Sequence, residues 1–165
     1  MRVSGTALAL RYANEMREQL QLQLHLQHRD RPPKLVVILV GDRADSQSYV
    51  RMKRQSAISI GIDFELLAFD GDTVSVDELR EAIVRLASCP LTDGIIVQLP
   101  LPDRLVPHSK SLIELIPAAK DVDGLTLANL GALLAPAPTT SLNAPTSLNA
   151  PTSLNTPTSL NTPTS

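Results

Sequence analysis

Short aliphatic runs and helical stripes alternate along most of the chain. Residues 35–40 (LVVILV) form a continuous aliphatic run rich in β-branched residues, which is typical of a strand buried on both faces. Residues 63–69 and 94–99 are predicted as a second and a third strand. Because helical segments separate the strands, the pattern predicts an α/β fold. In it, a parallel sheet with helices on both faces forms a three-layer domain.

The first predicted helix precedes the first strand. Alternating leucines over residues 20–26 would also suit a strand, but the proline-bearing segment 29–33 favours a helix that ends there. The apolar positions that recur at spacings of three and four are Ala9, Ala13, Met16, Leu20 and Leu24.

Further helices are predicted, and the chain marks several of their ends. Gly61 is a natural C-terminal cap for a helix over residues 48–60. Ser75 followed by Glu78 has the spacing of a capping box, which opens the next helix. The two remaining helices are predicted over residues 109–116 and 127–134.

The distribution of charge divides the chain into two parts. Every charged residue precedes Gly124, and from Ser141 the sequence repeats every six residues as SLNAPT or SLNTPT. One leucine per repeat cannot offset a backbone ordering cost of about 1–2 kcal/mol per residue. We therefore expect a folded domain over residues 1–135 and a disordered low-complexity repeat tail over residues 136–165. A hexapeptide β-helix and a misread coding sequence are the alternatives for the repeat.

Composition disfavours several classes of function. A net charge of −2 gives no basic surface for a nucleic-acid partner. The single cysteine, Cys89, excludes a disulfide framework and a cysteine-built zinc site. No apolar run reaches the roughly 18 residues that a membrane span needs. We expect no metal, nucleic acid or membrane partner, and a cytoplasmic location with a mitochondrial one as the alternative.

The first candidate site residues are Tyr49 and Lys53. Four residues apart, they share one face of a helix. A tyrosine ring can stack on a flat ligand, and a lysine that loses its ammonium form in a water-poor pocket can move protons near neutral pH. From spacing alone, an amphipathic surface helix explains this pair more simply.

Two further segments place polar side chains beside the predicted sheet. Gln98 ends the third strand, where a hydrogen bond to a ligand and simple hydration are equally good explanations. Residues 120–124 (KDVDG) place two carboxylates next to a lysine. Because a metal ion needs more oxygen ligands than this segment supplies, a solvated turn is its simpler explanation.

Three motifs occur in a fixed order along the chain. They are residues 46–53 (SQSYVRMK), residues 93–102 (DGIIVQLPLP) and residues 120–124 (KDVDG), with Asn129 and Gly131 after them. In this order they closely resemble the methylenetetrahydrofolate dehydrogenase/methenyltetrahydrofolate cyclohydrolase family. The resemblance spans about residues 5–134.

The resemblance implies an activity and a set of site residues. The family oxidises 5,10-methylenetetrahydrofolate, and most members hydrolyse the methenyl product to 10-formyltetrahydrofolate, usually as homodimers. Its N-terminal α/β domain binds the folate, and a second, Rossmann domain binds NADP or NAD. By motif, Lys53 matches the catalytic lysine and Gln98 the glutamine that hydrogen-bonds to it. Tyr49 matches the tyrosine that stacks on the folate, and Asp123 the aspartate that holds the pterin.

The chain departs from the family pattern in two places. Ala118 occupies the position of a proline that many members carry before KDVDG, and Pro117 lies one place earlier. After Leu134 the family continues into a Cys-Thr-Pro segment and a glycine-rich cofactor turn, for which this sequence has no counterpart. We therefore expect no cofactor site in this chain, although NADP belongs to the complete family enzyme.

Three functions follow as alternatives. The matched site residues favour the folate-binding catalytic half of the bifunctional enzyme, with its cyclohydrolase chemistry retained, and this is the main prediction. A complete dehydrogenase is disfavoured because the cofactor segment is missing. The third alternative is a truncated, non-catalytic fragment that binds folate weakly or pairs with a full-length subunit. A water-exposed cleft would favour it, because water stabilises the protonated lysine.

Overall fold

A computed structural model of the protein describes residues 4–134, and the predicted repeat tail over residues 136–165 lies outside the described residues. The three strands are parallel and lie in the order β2-β1-β3. The predicted α/β fold with a parallel sheet is therefore confirmed. In chain order the elements are α1 (Gly5–Leu26), β1 (Lys34–Val40), α2 (Ala44–Ile60), β2 (Asp63–Phe69), α3 (Val76–Ser88), β3 (Gly94–Val97), a 3-10 helix (Asp103–His108), α4 (Ser109–Ile113) and α5 (Leu127–Leu134).

The core lies on both faces of the sheet, around the central strand β1. On one face, Ile38 belongs to a buried cluster with Leu79 of α3 and Leu105 of the 3-10 helix. On the other face, Val37 clusters with Val50 of α2. Because successive side chains of a strand point to opposite faces, the run of five buried residues that ends β1 needs a helical layer on each side. The result is the three-layer arrangement that the sequence predicts.

The N-terminal segment is a helix, as the spacing of its apolar residues predicts, and it packs against α2. Ser4 caps its first turn, and no residue of α1 is fully buried. Leu20 lies beside Gly61, and the Arg17 guanidinium donates a hydrogen bond from Nε to the Ser59 carbonyl oxygen at 2.9 Å. The first helix therefore packs mainly over α2.

The predicted helix ends at Ser75 and Gly61 are confirmed. The Glu78 N–H donates to Ser75 Oγ at 3.1 Å, and the Ser75 N–H donates to Glu78 Oε2 at 2.7 Å, which completes the capping box. Gly61 ends α2 in the left-handed conformation, with φ of +92°. The last predicted helix, over residues 127–134, also has the predicted bounds.

Three elements differ from their predicted bounds by more than one residue. The helix predicted over residues 109–116 is shorter, since α4 ends at Ile113. Helix α2 begins at Ala44, four residues earlier than predicted, because Gly41 turns the chain at φ +82° directly after β1. The Asp45 carboxylate accepts a hydrogen bond from the Ser46 N–H at 2.8 Å and so supports this early first turn. Strand β3 ends at Val97 instead of residue 99, because Pro100 has no N–H with which to extend the ladder.

The 3-10 helix between β3 and α4 is the element that the sequence analysis does not predict. It contains Pro107 and has a single buried side chain, Leu105, so it has no apolar stripe. Arg104 ties it to the loop between β2 and α3. Its Nε donates to the Gly71 carbonyl at 2.9 Å and its Nη2 to the Val74 carbonyl at 2.5 Å.

Asp93 organises the amino edge of the sheet. Its carboxylate accepts hydrogen bonds from Arg29, from Arg31 Nη1 at 2.7 Å and from the Lys34 N–H at 2.7 Å. Burial acts to raise the pKa of Asp93, but these hydrogen bonds outweigh it and hold the pKa at about 2. The ionised side chain thus joins the segment before β1 to the start of β3.

Replacing Asp93 should lower stability in a pH-dependent way. A depressed pKa adds stability above the unfolded-state value near 3.9, and this contribution is lost as the pH falls through the folded-state value. For Asp93→Asn we expect a loss of about 1–2 kcal/mol in the free energy of unfolding at pH 7. The difference from the parent protein should shrink between about pH 5 and pH 2. Urea unfolding at several pH values measures it, and Asp30→Asn, at an exposed neighbouring position, is the control. A loss that stays constant down to pH 2 would contradict the charge-based explanation.

Gly71 should tolerate no side chain, because the β1–α2 and β2–α3 loops touch there. An added Cβ would lie 2.9 Å from Gly41 Cα and 3.2 Å from Pro102 Cγ. We expect Gly71→Ala to reduce the free energy of unfolding by about 1–3 kcal/mol. In α5, a Cβ on Gly131 meets nothing within 4 Å, so Gly131→Ala should raise stability by up to about 1 kcal/mol. Urea unfolding of both variants checks the contrast, and equal effects would show that the close approach is unimportant.

Candidate functional site

A groove of about 390 Å³ runs along one flank of α2. Tyr49 and Lys53 of α2 line it together with Asp123, which lies in the segment between α4 and α5. The fold thus brings three of the four predicted site residues together. Its apolar lining consists largely of Leu35, Met52, Ile60, Ile62, Ile96 and Val122. An apolar groove with a few converging polar groups is the usual form of a small-molecule site.

The helical spacing of Tyr49 and Lys53 places both along this groove. Tyr49 is 56% exposed, so its ring offers a surface to a ligand. Met52 lies between them in sequence and also lines the groove. The sequence analysis did not single out Met52, although its i+3 spacing from Tyr49 is the pattern that would have indicated it.

Lys53 forms an ion pair with Asp123 across the groove. Lys53 Nζ lies 3.2 Å from Asp123 Oδ2 and 3.4 Å from Oδ1, so the ammonium group spans both carboxylate oxygens. The side chains are 31% and 33% exposed, and a pair in contact with water adds little to stability. Its chemical importance is that a cation and an anion lie side by side on an apolar wall.

The loop that carries Asp123 is attached to the rest of the domain. Residue 121 pairs with Ile95 of β3 in a parallel bridge, and the Ile95 N–H donates to the Lys120 carbonyl oxygen at 2.7 Å. Lys120 Nζ donates to the carbonyl oxygens of Ala87 and Cys89, both at 2.8 Å, where α3 ends. The KDVDG motif is therefore built into the fold, and it is more than the solvated turn that its spacing suggests.

Gln98, the fourth predicted site residue, is absent from the lining of this groove. It is 8% exposed, its Nε2 donates to the Leu99 carbonyl oxygen at 2.8 Å, and the Leu99–Pro100 peptide bond is cis. The Gln98 Oε1 atom is buried and has no hydrogen-bond partner among the described residues. A buried acceptor without a donor is costly, so this oxygen is ready to accept a hydrogen bond from a further group.

A second groove, of about 370 Å³, lies at the carboxyl ends of β1 and β2. Ligands of open parallel sheets commonly bind at such strand ends, yet none of the four predicted site residues lines this groove. Asp42, Asp70 and Asp72 line it, and the Asp72 N–H, with the Thr73 N–H, lowers the pKa of Asp70. These carboxylates would repel a pyrophosphate, and neither turn here has the glycine pattern of a dinucleotide site. The residues at these strand ends therefore do not fit NADP.

Over residues 4–134, no three His, Cys, Asp or Glu side chains come together in a way that could hold a metal ion. In the same range, none of the helices has both the length and the apolar character that crossing a lipid bilayer requires.

Comparison with known proteins supplies a family for this geometry. The family model for the tetrahydrofolate dehydrogenase/cyclohydrolase catalytic domain matches residues 3–123. The bifunctional protein FolD of Halothermothrix orenii is 38% identical over 133 residues, which make up 81% of this chain and 45% of that protein. The rat mitochondrial bifunctional methylenetetrahydrofolate dehydrogenase/cyclohydrolase 2 is 37% identical over 131 residues, which make up 79% of this chain and 37% of that protein.

A solved structure shows the same fold. The Trypanosoma brucei methylenetetrahydrofolate dehydrogenase-cyclohydrolase, solved with NADP and an inhibitor, matches with a TM-score of 0.73 at 31% identity. The match covers 81% of this chain and 43% of that one, so the chain spans less than half the length of these relatives. The family model matches well over half of the residues of this chain. The chain therefore belongs to the tetrahydrofolate dehydrogenase/cyclohydrolase family and corresponds to its catalytic domain.

Proposed function

We propose that this chain binds a tetrahydrofolate in the groove along α2 and hydrolyses 5,10-methenyltetrahydrofolate to 10-formyltetrahydrofolate. The observation that carries the proposal is the convergence of Tyr49, Lys53 and Asp123 on one apolar groove. Each side chain suits one part of such a substrate. The tyrosine offers a ring surface, the carboxylate accepts hydrogen bonds from the N–H groups of a pterin, and the lysine can exchange a proton.

The reaction needs water, a base and an acid. The methenyl carbon belongs to a cationic amidinium group, and the water oxygen attacks it. The neutral Lys53 amine takes a proton from that water, and Lys53 then returns a proton to the ring nitrogen as its bond to the carbon breaks. The remaining hydroxyl proton leaves to solvent as the formyl group forms, so one water is consumed and one proton is released. In the proposal, Gln98 Oε1, which has no hydrogen-bond partner among residues 4–134, accepts a hydrogen bond from the lysine during these transfers.

The dehydrogenase half-reaction is not part of this proposal. It requires a nicotinamide cofactor as the hydride acceptor, and the acidic strand-end groove does not fit one. Homodimer formation, a cytoplasmic location and the disordered tail over residues 136–165 stay predictions from the sequence.

A second candidate function is folate binding without catalysis, alone or beside a full-length subunit. The observation in its favour is that Lys53 and Asp123 are each about a third exposed to solvent. Water around the lysine stabilises its ammonium form, which cannot accept a proton from the attacking water.

Replacing Lys53 should abolish hydrolysis. We expect the 165-residue chain to speed the loss of 5,10-methenyltetrahydrofolate absorbance above the uncatalysed rate, and Lys53→Met to reduce that acceleration by at least about 100-fold, since proton transfer is lost. Lys110→Met, at an exposed lysine on α4, is the matched control and should keep full activity. If the parent protein binds tetrahydrofolate but does not speed hydrolysis above the uncatalysed rate, the second candidate function is established instead.

NADP should not bind to this chain. We expect a fluorescence titration of the 165-residue protein with NADP to show no saturation up to millimolar concentrations, because its described strand ends offer carboxylates where a pyrophosphate needs N–H donors. Tetrahydrofolate, titrated in parallel, is the positive control. Saturable NADP binding in the micromolar range would refute this prediction and restore the dehydrogenase as a candidate.

A further inference from the structure

The carboxylate of Asp121 accepts four hydrogen bonds, although neither the sequence motif nor the groove assigns it a role. The Gly124 N–H donates to Oδ1 at 3.0 Å, and the Thr126 N–H donates to Oδ2 at 2.9 Å. The Thr126 hydroxyl, at 2.8 Å, and Asn129 Nδ2, at 2.9 Å, donate to the same Oδ2. All four donors lie after Asp121 in the chain, so the carboxylate closes the turn that follows it.

This closed turn contains Asp123. Gly124 adopts a left-handed conformation with φ of +69°, and Asp121 itself is bridged to Ile95 of β3. Asn129 of α5 also donates to the Ala118 carbonyl oxygen at 3.0 Å, so the turn is fixed both before and after Asp123. The Asp123 side chain then reaches Lys53, which lies 70 residues earlier in the chain.

We propose that Asp121 is a positioning residue for the groove, because it fixes the turn that presents the Asp123 carboxylate to α2. The proposal rests on the proposed folate-binding function of Asp123. It separates the two acidic residues of the KDVDG motif by role: Asp123 meets the ligand, and Asp121 acts through Asp123. Lys120, which caps the end of α3, fixes the same segment from the other side.

The chemistry of Asp121 agrees with such an anchor. Burial acts to raise the pKa of Asp121, but hydrogen bonds from the Thr126 N–H and from the Asn129 amide outweigh it and lower the pKa below its ordinary value. The carboxylate is therefore ionised at neutral pH and accepts all four hydrogen bonds. An asparagine at position 121 would turn an NH₂ group or a single oxygen toward these donors and could not satisfy them.

A double-mutant cycle tests the proposal, with the dissociation constant for tetrahydrofolate as the readout. We expect Asp123→Asn to weaken binding by about 10-fold or more, and Asp121→Asn to weaken it by a similar factor. The double variant should bind within about 2-fold of Asp123→Asn alone, because Asp121 has nothing left to position. The matched control is Asp70→Asn, which removes another carboxylate that caps a loop by accepting backbone N–H groups, from Asp72 and Thr73, away from the groove. It should leave binding within about 2-fold of the parent value.

A second readout needs no folate. The acetylation rate of Lys53 by an N-hydroxysuccinimide ester, followed by peptide mass spectrometry, reports whether Asp123 still pairs with the lysine. Both single variants should raise this rate to the same level, and the double variant should raise it no further, with Lys110 as the internal reference. If Asp121→Asn fails to fold by urea unfolding, Thr126→Val takes its place, because it removes one donor to Asp121 at nearly constant volume. It should change both readouts in the same direction by smaller factors.

The outcomes separate the two proposals. Additive effects of the two substitutions on both readouts, or a folded Asp121→Asn with parental binding and parental Lys53 acetylation, would overturn the positioning role. Failure of the parent protein to bind tetrahydrofolate would overturn the proposed function, and the acetylation rates would then decide by themselves whether Asp121 positions Asp123.

Discussion

Burial of residues 36–40 of the central strand determines where this domain can carry out chemistry. Residues 36–40 are at most 6% exposed and all aliphatic, so this part of β1 forms the core and offers no polar side chain to a ligand. Polar side chains must therefore come from the elements packed around it. Helix α2 covers one face of the sheet, and the 120–124 segment pairs beside β3, so a groove opens where the two meet. The site is a consequence of how these two elements border the same buried sheet.

Carboxylates that accept backbone N–H groups hold the loops of this domain in place. Asp93 fixes the amino edge of the sheet, Asp70 the β2–α3 loop and Asp121 the turn before α5. In each case the hydrogen bonds hold the pKa below its ordinary value, so the anchor stays charged across the physiological range. Asp123 differs from all three, because the hydrogen-bond donor its carboxylate meets is a lysine side chain across a groove. A carboxylate whose oxygens are not occupied by its own loop can be shared with a ligand.

Periodicity could predict the layers and the capped helix ends, because they depend on neighbouring residues alone. Gly61 and the Ser75–Glu78 box mark helix ends through local conformation and local hydrogen bonds. The i+4 spacing placed Tyr49 and Lys53 on one helix face for the same reason. Asp123 could be matched to a motif, but its contact with Lys53 could not be predicted from spacing, because it depends on a bridge between two distant segments. The 3-10 helix escaped prediction because one buried leucine makes no periodic pattern.

The ion pair across the groove links folate binding to catalysis in the proposed function. A pterin that presents two N–H groups to Asp123 competes with the Lys53 ammonium for the same two oxygens. In the proposed function, the carboxylate that accepts hydrogen bonds from the pterin stays charged but is shared between pterin and lysine, and the cationic methenyl group beside Lys53 repels a positive charge there. Both effects favour the neutral amine that the reaction needs. The solvent exposure of the groove is therefore important for the proposed function. Water near the lysine stabilises its positive charge, whereas a groove closed to water would favour the neutral amine.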